Sequence, residues 1–187
     1  MKALIAVFTF MAALVVIGCQ TVPKVSDPSG VDVTVTGLTD QKVMIYYGQG
    51  APFEPDPYIP PSLLLSGHTD AYVVVRIEVA SIRKALITLD DAQAMDATGT
   101  VVAHLLRKAD FLDLLRRQGA DEQLLGQLDL KVERTYFPDA GWQTSPGKRA
   151  FAAVLVATAP LKPPLTVNAQ LTVDGGAPRA FQVPWTN

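Results

Sequence analysis

A zinc ion held by protein side chains needs three or four Cys, His or carboxylate donors at defined spacing. This chain of 187 residues offers one cysteine, Cys19, and two histidines, His68 and His104. His68 lies in the polar run Ser66-Gly67-His68-Thr69-Asp70, where a solvent-facing imidazole is the expectation. Asp90, Asp91 and Asp96 fall close together, but their spacing fits no EF-hand loop. A serine nucleophile needs a base held beside it, and no Gly-x-Ser-x-Gly elbow is present. Phosphate-cradling runs such as Gly-x-x-x-x-Gly-Lys-[Ser/Thr] or Gly-x-Gly-x-x-Gly are also missing. The residues thus nominate no catalytic centre, metal or cofactor. Aromatic rings are the remaining candidates for binding: Tyr46, Tyr47, Phe53, Tyr58 and Trp142 combine flat apolar faces with polar tips, which suits a small ligand or a glycan.

Cys19 has a context that none of these shares. It follows Lys2, an uncharged apolar run from Ala3 to Ile17, and Gly18. A basic start, an apolar stretch and a small residue at the cut make a secretory signal. A membrane-spanning helix wants about 20 apolar residues; this run is shorter and gives way to the proline-bearing stretch from Gln20 to Gly30. The tetrad Val16-Ile17-Gly18-Cys19 resembles the lipobox of bacterial lipoproteins. That resemblance implies cleavage between Gly18 and Cys19, diacylglycerol on the Cys19 thiol, acylation of the freed amine, and attachment to a membrane through the lipid. Gln20, where an aspartate would mark inner-membrane retention in enterobacterial lipoproteins, implies an outer-membrane anchor facing the periplasm. One acyl chain binds a bilayer only marginally, whereas two or three hold it for long periods.

Composition narrows the rest. A net charge of −2 supplies no basic field for nucleic acid. A lone cysteine excludes a disulfide within the chain, so stability must come from a core. The chain is expected to divide into a signal peptide over residues 1–18, a lipidated cysteine with a flexible tether over 19–30, and one domain over 31–187.

The elements of that domain read mainly as strands. Val31-Asp32-Val33-Thr34-Val35 alternates with period two, and Val43 to Tyr47 is a second β-branched and aromatic run joined to it by a short turn. Five prolines between Ala51 and Pro61 make a loop that carries Phe53 and Tyr58. Tyr72 to Val79 begins as a continuous apolar run and ends alternating through Arg76 and Glu78. It predicts a central strand covered on both faces early and solvated on one later. Ala85 to Thr88 reads as a return strand, and Gln93 to Asp96 with Thr100 to His104 as a hairpin turning at Gly99. Between His104 and Arg134 the period changes. Leu105, Leu106, Ala109, Leu112 and Leu115 predict an amphipathic helix ending near Gly119; Leu124, Leu125 and Leu128 predict a second, capped by Asp121. Phe151 to Ala157, Leu165 to Val173 and Ala180 to Val183 complete the strands, the last two joined by Asp174-Gly175-Gly176.

The Tyr72–Val79 strand, the Met95-Asp96-Ala97-Thr98-Gly99 turn, and Ser145-Pro146-Gly147 ahead of Phe151–Ala157 resemble immunoglobulin-like lipoprotein domains of unknown function. The resemblance implies an antiparallel sandwich, here with a helical insertion near 104–130 and without paired cysteines; a small β-barrel is the alternative. The function expected from these readings is a protein-interaction or structural module of the cell envelope with an envelope protein as partner. Ligand or glycan binding through the aromatics is the alternative.

Overall fold

Alternation along the valine-rich segments decides the architecture. The computed structural model describes residues 24–26, 30–47, 58, 72–117 and 122–185. Its elements are β1 (Lys24–Ser26), β2 (Val31–Leu38), α1 (Asp40–Tyr47), β3 (Tyr72–Ser81), β4 (Leu86–Met95), β5 (Val101–Leu105), α2 (Lys108–Arg117), α3 (Glu122–Thr135), β6 (Trp142–Gln143), β7 (Gly147–Ala157), β8 (Leu165–Val173) and β9 (Arg179–Trp185). Val31, Val33 and Val35 of β2 are buried, and so are Val73, Val75, Ile77 and Val79 of β3 and Leu165, Val167, Ala169 and Leu171 of β8. These every-other-residue faces converge on one interior.

The strands form one antiparallel sheet in the order β1-β2-β3-β7-β5-β4-β8-β9, with β6 pairing beside β5 on β4. The sheet curls until its ends nearly meet, so the fold is mainly β and takes the form of the small barrel. Closure is made by side chains: the Trp185 indole N–H donates to the Leu38 carbonyl at 2.7 Å. Gly37 permits that approach, since a Cβ there would lie 2.9 Å from Trp185 Cδ1. Pro184, which has no N–H to give, suits the end strand β9.

A second core lies outside the barrel. The outer faces of β3 and β7 contribute Tyr72, Val74, Ala152 and Val154, and the helices cover them with Val43, Phe111, Leu115, Leu125, Leu128 and Val132. Tyr72 to Val75 is therefore buried on both faces, while Arg76 and Glu78 are partly exposed, in keeping with the apolar-then-alternating pattern. The 104–130 insertion is the helical pair α2 and α3, lying on this face.

Four local expectations need correction. Val43 to Tyr47 is helical: the Thr39 hydroxyl accepts from Lys42 N at 3.4 Å, and Val43 N donates to the Thr39 carbonyl, a cap that starts α1. Burial of Val43 beside Leu38 outweighs the strand preference of a β-branched run. Ala85–Thr88 and Gln93–Asp96 belong to one strand, β4, whose pairing with β8 shifts between Leu89 and Asp91. Asp90 is the extra residue of a bulge, which directs it to solvent. Within the stretch assigned to the tether, Lys24–Ser26 forms β1, paired with Asp32–Thr34. In the helical stretch, Leu105 ends β5 and Ala109 is exposed; Phe111 and Leu115 carry the buried stripe of α2. Gly99 does turn the β4–β5 hairpin, at φ 83°. Among the described residues no helix is long and apolar enough to cross a membrane.

Candidate functional site

The aromatic candidates separate into two places. α1 supplies Tyr46 and Tyr47, whose ring centroids lie 6.4 Å apart, and Tyr47 meets Tyr58 edge-on at 4.8 Å. Tyr58 then stacks on Phe111 at 5.6 Å, and Phe111 lies 5.3 Å from Tyr136. This chain of rings runs inward from solvent: Tyr46 is 50% exposed, Tyr58 only 2%. The Tyr58 hydroxyl bonds Thr135 Oγ1 at 2.6 Å; because Thr135 Oγ1 itself donates to the Lys131 carbonyl, Tyr58 is the donor. Tyr58 is thus a packing residue tied to α3 through Thr135. Trp142 is at the far end of the barrel, edge-on to Phe151 at 5.1 Å with the Arg149 guanidinium 5.8 Å above its ring. Phe53 lies outside the described residues, as do Gly18, Cys19 and His68.

Tyr136 anchors the helical layer to the sheet and has no counterpart among the sequence candidates. Its hydroxyl donates to the Leu106 carbonyl at 2.6 Å and accepts from Val154 N at 3.2 Å. Burial holds its pKa well above the ordinary phenol value, only partly offset by the Val154 bond. The neutral phenol is thus fixed in place, as a structural tie needs.

The carboxylates picked out by sequence have local duties. Asp96 accepts from Thr98 Oγ1 at 2.6 Å and from Thr98 N and Thr100 N, closing the β4–β5 turn. The Thr98 hydroxyl above all, then the Thr100 amide, holds its pKa below the usual carboxylate value. Asp90 accepts from Thr88 and Thr172, and Asp91 from Gln93. Arg107 donates to the carbonyls of Leu89 and Asp90, pinning the bulge. Asp139 accepts from Lys108 N at 3.0 Å and so caps α2. His104 is exposed on β5 opposite Gln93. No group of three or more His, Cys, Asp or Glu residues that could hold a metal occurs among the described residues.

Charge on the outer face of β3 is organised around Glu78, which pairs with Arg76 and Lys148 at 2.6 Å each. Burial pushes the Glu78 pKa up, but the hydrogen bonds and charges of Lys148 and Arg76 outweigh it, leaving the carboxyl below its usual value. Arg76 also covers the Tyr46 ring at 4.6 Å.

One loop tied by several side-chain hydrogen bonds is one the sequence did not mark. Between β3 and β4, the Ser81 hydroxyl donates to the Arg83 carbonyl at 2.6 Å. The Thr144 hydroxyl donates to the same carbonyl at 2.7 Å and accepts from Ala85 N at 2.8 Å. Ser81 and Thr144 are buried, and Ile82 between these bonds points into solvent. Comparison with family models, with curated proteins and with solved structures finds no match to this chain.

Proposed function

We infer that this chain is a lipid-anchored protein of the bacterial cell envelope, held at the outer membrane by acylated Cys19, whose domain serves in the periplasm as a protein-interaction or structural module. The observation that carries this reading is the single cysteine placed directly after a basic start, an apolar run and Val16-Ile17-Gly18. The fold is compatible with it. Strand side chains fill the barrel interior, so contacts with a partner would fall on the outer surface, part of which the packed helices form. Tyr46, Tyr47 and Tyr58 meet ring to ring, but Tyr58 is committed to packing on Phe111, and Trp142 belongs to the other end of the barrel. This favours a module over a ligand pocket built from them.

Growth of an expressing bacterium with radioactive palmitate tests the anchor. Label should enter the protein and vanish in Cys19→Ala; absence of label, or label that survives the substitution, overturns the reading. Crosslinking the acylated protein in intact cells tests the module role, with a discrete envelope-protein adduct expected and none contradicting it.

A further inference from the structure

The two ends of the barrel differ in what they show to solvent. One is bordered by Leu38, the Asp96–Thr100 turn and Trp185, which β2, β4 and β9 bring together. The other is bordered by Val31, the Ser81–Ala85 loop, the start of β7 and the Asp174–Gly176 turn, joined by the Val31–Ser81–Gly147 register and by Arg83 pairing with Asp174 at 2.7 Å. At this second end Ile82 is 81% exposed, and Leu86 is also exposed. Trp142, paired with Ile87, is half-buried against Phe151 on the inner side of the barrel at this end. Arg83 and Lys84 follow Ile82 in the chain, Lys148 and Arg149 begin β7 opposite Ala80 and Val79, and Arg149 lies over the Trp142 and Phe151 rings. The carboxylates of this end are Asp32, Glu78 and Asp174; Glu78 is occupied by Arg76 and Lys148, and Asp174 by Arg83. Lys84 and Arg149 make no ion pair among the described residues.

We propose that this Ile82 end is the surface that sits on the bilayer, an anionic phospholipid surface being its occupant. The inference rests on the lipid anchor proposed above. An exposed aliphatic tip with long basic side chains next to it in the chain suits a lipid interface: the apolar group enters the acyl boundary while Lys and Arg reach the headgroups. The loop is prepared for this, since the Ser81 and Thr144 bonds and the Ile82 N to Gly30 carbonyl bond at 3.1 Å fix the tip before it meets lipid.

Chain length brings the end within reach. Only Gln20 to Pro23 separate Cys19 from Lys24, so Cys19 lies within about 17 Å of Lys24. Lys24 pairs with Thr34, three residues along β2 from Val31, a distance of about 10 Å. An anchor that short keeps some face of the domain against the membrane, and weak contacts there act at high effective concentration.

The test uses the full acylated protein, with palmitate incorporation measured on the same preparation. Because Cys19 is the single cysteine, Ala177→Cys and Thr98→Cys give unique thiols for a fluorescent donor at the Ile82 end and at the opposite end. The proteins are reconstituted in phosphatidylethanolamine–phosphatidylglycerol vesicles with an acceptor on the headgroups. Energy transfer should be greater from residue 177 than from residue 98, and the difference should shrink when Ile82→Ser and Lys84→Glu are added. Equal transfer, or greater transfer from residue 98, overturns the orientation while leaving the anchor intact; the second result would put the end toward which β1 begins on the lipid. An unchanged difference in the double variant overturns the role given to Ile82 and Lys84. Missing palmitate overturns anchor and orientation together.

Discussion

Tyr136 shows how one side chain can tie two layers. Tyr136→Phe keeps the ring contacts but leaves the Leu106 carbonyl and the Val154 amide without their partner, at a cost of about 1–3 kcal/mol, which denaturant titration would measure. The pH response has a defined sign. A phenol whose folded pKa is raised contributes stability that is complete below the unfolded value near 10 and is lost as pH rises above it. Stability of the unaltered protein should thus fall through that range, and the fall should be smaller in Tyr136→Phe. Asp96 and Glu78 act oppositely: their lowered pKa values contribute stability above the ordinary carboxylate range that is lost as pH drops through it. Acid titration of Asp96→Asn should show a shallower loss than the unaltered chain. At this scale the sequence was least legible. Ser81 and Thr144 look like ordinary polar residues, and only the fold brings Thr144 to the Arg83 carbonyl that Ser81, two residues away, also bonds. Likewise Tyr58 and Trp142 look equally able to bind until burial assigns the first to packing.

Elements were easier to read where packing and pattern agree. The switch in β3 from four buried residues to alternation marks where the helical layer stops, and it is written in Tyr72-Val73-Val74-Val75 followed by Arg76 and Glu78. α1 was hidden because Val43 to Tyr47 carries strand-forming residue types; its signal was the cap Thr39 with Asp40 after it. The alternation in Ala85–Thr88 and in Gln93–Asp96 reads as two strands because the bulge at Asp90 shifts the register between them. If the helical layer depends on its aromatic contacts, Phe111→Ala should cost about 3–5 kcal/mol. Hydrogen exchange should then speed up across α2 and α3 while the amides of β4 and β8 remain protected. Uniform acceleration across the whole barrel would show instead that the two cores unfold as one.

For the whole molecule, alternation indicates a closed or layered β fold but does not choose between them, since a sandwich and a barrel bury the same every-other-residue faces. The choice depends on how the ends of the sheet meet, here through Trp185 and Leu38 across Gly37. Gly37→Val should push Trp185 away and open that seam, lowering the thermal midpoint and increasing exposure of the indole to an aqueous quencher. The proposed lipid anchor rests on the sequence alone, and the proposed orientation adds how the barrel would lie on the bilayer that such an anchor gives it. The central claim is the anchor, and mass spectrometry of the mature N-terminal peptide tests it most directly. The account predicts a chain beginning at Cys19 with the mass of diacylglycerol and an amide-linked acyl group added. A mature chain that retains Met1 to Gly18, or begins elsewhere with an unmodified Cys19, would contradict it.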